Sequence, residues 1–457
     1  MPDPSTQPVE RSAPPSPPTQ PSPRYAWYVV AVLTLIYVFS FIDRQILNLL
    51  VAPIRRDLQI SDTGMSLLMG FTFAVFYTFF GIPLGRMADS GNRRGIIAAG
   101  FVAWSLFTAA CGLAQTFWQM ALLRMGVGIG EASLSPSAYS MISDYFPPHR
   151  RATAISVYSM GIYLGHGLAM ILGGLVLQFA SRQELWTLPI TGATRPWQLI
   201  FFAVGLPGIL CALLLLSVRE PKRREVKSHT AIPFGDVLRY MRLNSRTFLC
   251  HNFGIAFIAL TAYGFGAWVP TLFIRTHGWT PAETGLNIGL IVLFTGPAGI
   301  VCGGRFADYL RSRGHRDANL RVMFLAAVCW LPFAVAFSLA PTPGLALLLF
   351  APCQFIFASP FGVAPAAITE IMPNEMRGQA AASYLFVNTL IGMGFGPTAI
   401  ALMTDYVFRD EAMLPYSMAV VSAVALSIAA LVLHRGLKPF VGSLDLLKNL
   451  QSQSVTT

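Results

Sequence analysis

Apolar residues along this chain gather into long runs, and the polar stretches between them are short. A membrane crossing needs about 20 apolar residues, because a helix rises about 1.5 Å per residue across about 30 Å of hydrocarbon. The runs predict spans at 25–52, 64–87, 95–114, 117–142, 152–180 and 197–218, then 247–274, 283–307, 320–340, 344–371, 378–407 and 412–434. Several exceed the minimum, which implies tilt or extension beyond the lipid. Only the stretch from Ala114 to Phe117 separates spans three and four, so the count there rests on one short turn.

The pattern repeats. Gly85-Arg-Met-Ala-Asp89 follows span two, and Gly304-Arg-Phe-Ala-Asp308 follows span eight. Phe146-Pro147-Pro148-His149-Arg150-Arg151 follows span four, and Met372-Pro373-Asn374-Glu375-Met376-Arg377 follows span ten. Ser61-Asp-Thr-Gly64 and Pro281-Ala-Glu-Thr-Gly285 lead into spans two and eight. The expected fold is therefore an all-α integral membrane protein with 12 transmembrane helices in two pseudo-symmetric six-helix bundles. Parallel repeats of this kind belong with carriers that rock one bundle against the other. The expected divisions are a disordered tail over 1–24, a bundle over 25–218, a linker over 219–246, a bundle over 247–436 and a tail over 437–457.

Composition narrows the class. Of 457 residues 54% are apolar and 12% charged, with mean hydropathy +0.57. A soluble domain carries about 25% charged residues, so water is not the main solvent here. The formal charge of +11 does not imply nucleic acid, because the basic residues recur in short loops rather than one patch. Lys and Arg concentrate in the even-numbered loops and near the tails, which predicts that those loops and both termini are cytoplasmic. The cluster from Arg219 to Arg246 joins the halves and suits contact with anionic membrane lipids. The six cysteines lie in or beside apolar runs without a C-x-x-C pair, so no disulfide framework, metal site or redox site is expected. The first 23 residues hold nine prolines and no signal-peptide pattern.

The run Gly85-Arg-Met-Ala-Asp89-Ser-Gly-Asn-Arg93-Arg94 resembles the signature loop of the major facilitator superfamily, departing from it at Ser90 and Asn92. The resemblance implies a cytoplasmic latch over Gly85, Asp89, Arg93, Arg94 and Arg151, repeated at Asp308 and Arg377, that closes when the carrier opens outward. Phe41-Ile-Asp43-Arg44-Gln-Ile-Leu-Asn48, Leu123-Arg124-Met-Gly126-Val-Gly128-Ile-Gly130-Glu131 and Tyr77-Thr-Phe-Phe-Gly81-Ile-Pro83 look like bacterial members of its spinster-like branch. That branch implies lysolipid cargo such as sphingosine 1-phosphate or lysophospholipids, proton coupling through buried acids, no cofactor, and a monomer in a bacterial-type inner membrane. A D-R pair in span one also occurs in organic-anion:cation symporters, so it marks the superfamily better than the substrate.

Four charges sit inside predicted spans: Asp43, Arg44, Arg124 and Glu131. A charge at the bilayer centre costs about 2.5–3.5 kcal/mol or more, so such residues face a bundle interior or a wet cavity. Arg124 and Glu131 share one helix face two turns apart. Counted from the cytoplasmic ends of their spans, Asp43 and Arg124 lie at nearly one depth, so the two are expected to pair in one state. Asp43 and Glu131 are the candidate proton carriers, and Arg44 and Arg124 the candidate ligands for an anionic headgroup. The alternative is a static ion pair that holds spans one and four together. Arg44 points about 100° away from Asp43 on an ideal helix.

The second half lacks matching charges and offers an apolar and aromatic wall (Tyr263, Phe265, Trp268, Phe355, Phe357, Phe361). Glycine clusters at Gly161/Gly165/Gly167/Gly173/Gly174 and Gly392/Gly394/Gly396 permit close packing or bending of spans five and eleven. His166, in the first cluster, reads best as a hydrogen-bonded buried histidine. The function that fits is proton-coupled transport of an amphiphilic lysolipid, with a small-carboxylate symporter as the alternative. A pump or membrane enzyme fits poorly: no G-x-x-x-x-G-K, H-E-x-x-H or G-x-S-x-G motif is present.

Overall fold

The computed structural model describes residues 22–189, 192–221, 223, 234–373 and 376–455. Most of the predicted N-terminal tail, linker positions 224–233, and Asn374 and Glu375 lie outside the described residues, as does the side chain of His149.

Among the described residues, eleven helices are long and apolar enough to cross a membrane, from Pro23–Leu49 to Glu411–Leu450. The fourth predicted span is instead two helices, Phe117–Glu131 and Leu134–Tyr145. Neither alone reaches a crossing length. Two local causes produce the break. Ser133 donates its hydroxyl to the Gly130 carbonyl at 2.8 Å, competing with the helix ladder. Pro136 has no N–H to give the carbonyl one turn earlier.

The polar tetrads that repeat along the chain are helix starts. Ser61 accepts from Gly64 N at 3.1 Å, and Thr280 forms a reciprocal capping box with Glu283. Each satisfies N–H groups that the first helical turn leaves bare.

The helices leave two ends with different chemistry. One, here the linker end, carries Arg93, Asp144 and Glu220. The other, the far end, carries Asp62, Arg275 and Glu411. Among the described residues, the ion pairs that join the first half of the chain to the second, Arg55–Glu411 and Arg275–Asp62, both lie at the far end. Pairs at the linker end stay on one side, as in Arg93 with Asp144 and Glu220, and Arg311 with Glu370 at 2.9 Å. The far end is thus the closed end of this conformation.

Closure there rests on two helix pairs. Thr153–Ala180 lies against Pro281–Ser312, where a Cβ on Gly174, Gly285 or Gly289 would run into backbone carbonyls or side chains of the facing helix. Asp62–Ser90 lies against Arg377–Phe408, with Gly70 on the Met393 and Gly394 carbonyls. Both members of the second pair carry π turns at the junction, Leu67–Phe71 and Asn388–Gly394. Such turns insert a residue into the ladder and are frequent at functional positions. Gly174 of the first cluster therefore serves close packing between the halves.

Three segments differ from the sequence reading. Between spans five and six, Trp186–Leu188 and Gly192–Thr194 pair as a small antiparallel hairpin. Within the expected linker, Phe234–Leu243 is helical, and Tyr240 donates to the Ile371 carbonyl at 2.8 Å. The last helix, Leu414–Val455, runs on through the expected C-terminal tail. Its extension is held by buried Phe440, by Thr247–Ser443 at 2.8 Å and by Arg316–Asp445 at 2.6 Å.

Candidate functional site

The four intramembrane charges come together between spans one and four. Asp43 is 2% exposed, and Arg124 and Glu131 are each 1%. In this conformation the carboxylates have partners other than the Asp43–Arg124 pair expected of one state. Glu131 accepts from Arg44 Nε at 2.6 Å and from Ser40 Oγ at 2.5 Å. Arg124 does lie beside Asp43, but its Nη1 donates to the Asp43 backbone carbonyl at 3.3 Å. The Asp43 carboxylate instead accepts from Thr108 Oγ1 at 3.2 Å. Helical geometry explains the exchange. Ser40 and Arg44 are four apart and share a face that meets Glu131, whereas Asp43 is turned about 100° from Arg44 toward span three.

The cations are also held by aromatic faces. The Arg44 guanidinium carbon lies 4.9, 4.7 and 4.7 Å from the ring centres of Phe41, Phe73 and Tyr77. Arg124 lies 5.5 Å from Phe73. Each contact contributes about 0.5–2 kcal/mol, more where water is excluded. Yet Asp43 Oδ1, Glu131 Oε1 and Arg124 Nε have no hydrogen-bond partner among the described residues, although all three atoms are buried. Buried polar atoms are paired in the great majority of cases. The two bare carboxylate oxygens can each accept a further hydrogen bond, and Arg124 has a spare N–H to give.

Ser40 and Thr108 escaped the sequence reading. A hydroxyl inside an apolar run was the available signal, and it is common in spans without any role. Asp62, Arg55 and Arg275 escaped it as well. Asp62 was read only as part of a helix start, but it is fully buried and bound by Arg55 at 3.0 Å and by Arg275 at 2.8 and 3.0 Å.

The second half meets this site with uncharged groups. Asn48, one turn beyond Arg44, donates to the Gly266 carbonyl at 3.0 Å. Of the expected aromatic wall, Phe355, Phe357, Phe361 and Tyr263 are partly exposed. Trp268 is core instead, 0% exposed with its indole N–H on the Pro397 carbonyl at 2.9 Å. His166 is half-buried beside a small apolar cavity with Phe265 and Gln354, and no described group hydrogen-bonds to it.

At the linker end, Arg93 is buried. It donates to Glu220 at 2.7 Å, Ser140 at 2.8 Å, the Pro221 carbonyl at 2.9 Å and Asp144. Arg94 holds the Val218 carbonyl at 3.2 Å, Arg151 the Phe146 carbonyl at 3.2 Å and Arg377 the Thr369 carbonyl at 3.0 Å. Asp89 and Asp308 are exposed and make no ion pair among the described residues. Gly85 has only Pro136 near the place where a Cβ would stand.

Residues 33–397 match the family model described as Major Facilitator Superfamily. The chain belongs to that superfamily. It is a membrane transporter by that membership, not an enzyme. It is 30% identical over 85% of its length to an MFS-type efflux pump of Mycolicibacterium smegmatis, covering 86% of that protein. It is 26% identical to human protein spinster homolog 1, over 85% of this chain and 75% of the relative. Its structure is similar to the inward-facing, unoccupied crystal structure of a bacterial homolog to the human lysosomal transporter spinster. That match has TM-score 0.79 and 28% identity, over 93% of this transporter and 99% of the other chain.

Proposed function

We propose that this transporter moves an amphiphilic lysolipid, of the sphingosine 1-phosphate or lysophospholipid type, by proton-coupled alternating access. The observation that carries the proposal is the set of buried atoms without partners at Asp43, Glu131 and Arg124, set against a second half that lacks matching charges inside its spans. Asp43 and Glu131 carry the protons, and Arg44 and Arg124 take the anionic head. A proton on Glu131 removes the counter-charge 2.6 Å from Arg44 and frees that guanidinium for the head. Proton and anion binding therefore reinforce each other at this pair. The partly exposed aromatic side chains of the second half accept the apolar body.

In this reading the linker end and both termini are cytoplasmic, the divisions near 219–246 separate two rocking bundles, and the protein works as a monomer in a bacterial-type inner membrane. The conformation with a closed far end is then the inward-facing one, which agrees with its likeness to the inward-facing spinster homologue. Gly85, Asp89, Arg93, Arg94, Arg151, Asp308 and Arg377 form the latch that joins the bundles when the far end opens. Asp89 and Asp308 stand exposed and available for that step.

The test is uptake into proteoliposomes under a pH gradient, with a fluorescent lysophospholipid as cargo. Asp43→Asn and Glu131→Gln abolish gradient-driven uptake, and Arg124→Ala abolishes binding. Wild-type rates in both acid variants overturn the coupling. Saturable transport of short carboxylates with none of the lysolipid replaces the substrate reading by the small-carboxylate one.

A further inference from the structure

The closed end holds a second cavity that the central site does not use. It measures about 560 Å³, within the range of about 300–1,000 Å³ typical of small-molecule pockets. Arg55, Arg56 and Arg275 line it against a single carboxylate, Glu411. The rest of the wall is largely apolar, including Leu49, Ile60 and Ile274. Cations and hydrocarbon lining one cavity suit an anion with an apolar body.

One carboxylate already occupies the best anion position. Glu411 meets Arg55 fork to fork, with Oε1 at 2.6 Å and Oε2 at 2.8 Å. This is the bidentate geometry that guanidinium offers to any carboxylate or phosphate. Glu411 is poorly anchored for such a role. Its side chain is 56% exposed, and it sits on a three-residue turn, Glu411–Met413. Behind it Arg55 and Arg275 have a separate counter-charge in buried Asp62, which lies in the same half as Arg55. If Glu411 leaves, Arg55 keeps Asp62 and is not stranded.

We propose that this cavity is an outer binding site for an organic phosphate or carboxylate, in which the ligand anion displaces Glu411 from Arg55. The Arg55–Glu411 bond crosses between the two halves, so the displacement also removes one bond that keeps the far end shut. Loading and gate release become one event. After it, each half retains a neutral pair. Arg55 stays with Asp62 at 3.0 Å, and Arg275, released from Asp62 on opening, has Glu411 at 3.6 Å. Opening therefore exchanges partners without exposing a bare charge. The site rests on the proposed function for the anionic cargo, the alternating access and the outward orientation of the far end, but not on proton coupling at Asp43 and Glu131.

The experiment is calorimetric binding of hexyl phosphate, hexanoate and hexanol to the purified full-length transporter in lipid nanodiscs. Hexyl phosphate and hexanoate bind and hexanol does not. Glu411→Gln removes the resident competitor and tightens binding of both anions at least fivefold. Arg56→Gln, on a 77% exposed side chain outside the far-end lock, weakens binding at least threefold without disturbing the lock. Arg55→Gln weakens it at least tenfold. Arg124→Ala leaves this binding within twofold, which separates it from the central site. The proposal is overturned if Glu411→Gln leaves anion affinity unchanged or weakened, or if Arg124→Ala alone abolishes all anion binding. Loss of lysolipid uptake in Arg124→Ala with vestibule binding intact would support the central reading and this one separately.

Discussion

Arg275→Gln isolates the far-end lock, because it removes bonds that exist only while the two halves are together. In the closed conformation Arg275 gives the fully buried Asp62 two bonds, at 2.8 and 3.0 Å. A hydrogen bond to a charged group is worth about 1.5–3 kcal/mol, and at 18% exposure the Arg275 side chain is only modestly screened. Asp62 keeps Arg55 at 3.0 Å, so the substitution leaves no bare carboxylate. Once the far end opens, Arg275 has only Glu411, at 3.6 Å and more than half exposed. Such a pair contributes about 0–1 kcal/mol.

The two bonds together are worth about 3–6 kcal/mol; subtracting about 0.5 for that pair and about 1 for the neutral bond a glutamine amide restores leaves about 1.5–4.5 kcal/mol favouring closure. This is a shift of about tenfold or more toward the far-end-open state. A closed-to-open ratio of about 100 would fall to about 10 or below. Double electron–electron resonance between nitroxides at Gln183 and Thr276, both exposed at the far end, reads that ratio in a background without the six native cysteines. The expected result is a longer-distance peak that grows in Arg275→Gln. An unchanged distribution, or a sharper closed peak, refutes the assignment of these bonds to the lock.

Two further outcomes follow from packing. Arg93→Lys loses the separate directions in which one guanidinium serves Glu220, Ser140, Asp144 and the Pro221 carbonyl, which a single ammonium cannot reproduce. It should lower stability by about 2–4 kcal/mol, read as a reduced midpoint in a thermal-denaturation assay, and a midpoint equal to wild type counts against it. Gly285→Leu drives a side chain into the Met170 carbonyl at the seam between spans five and eight. Overpacking of this kind costs about 1–3 kcal/mol or more; because the clash exists only when the far end is shut, the same nitroxide pair should report a more open far end, and a closed distribution would speak against this seam.

Much of the fold was legible from the chain itself. Twelve apolar runs, their basic connections and the repeated helix starts at Ser61 and Thr280 follow from constraints that act within one segment. Lipid demands an uninterrupted apolar helix, and the first turn of each helix demands a cap. The four intramembrane charges were legible for the same reason, since a charge among apolar residues stands out wherever it later packs.

Partner choice was decided only by the tertiary structure. Glu131 took Arg44 rather than leaving Asp43 to Arg124, because Ser40 and Arg44 share the face that meets span four. The break at Ala132–Ser133 needed the local competition of Ser133 and Pro136, which hydropathy does not register. Most hidden of all was the far-end network. Arg55, Asp62, Arg275 and Glu411 lie in short polar connections where charges are ordinary, and buried Asp62 takes one of its two arginines, Arg275, from the other half of the chain. Ion pairs that close a gate have no local pattern, because the energy that selects them exists only when separate bundles meet.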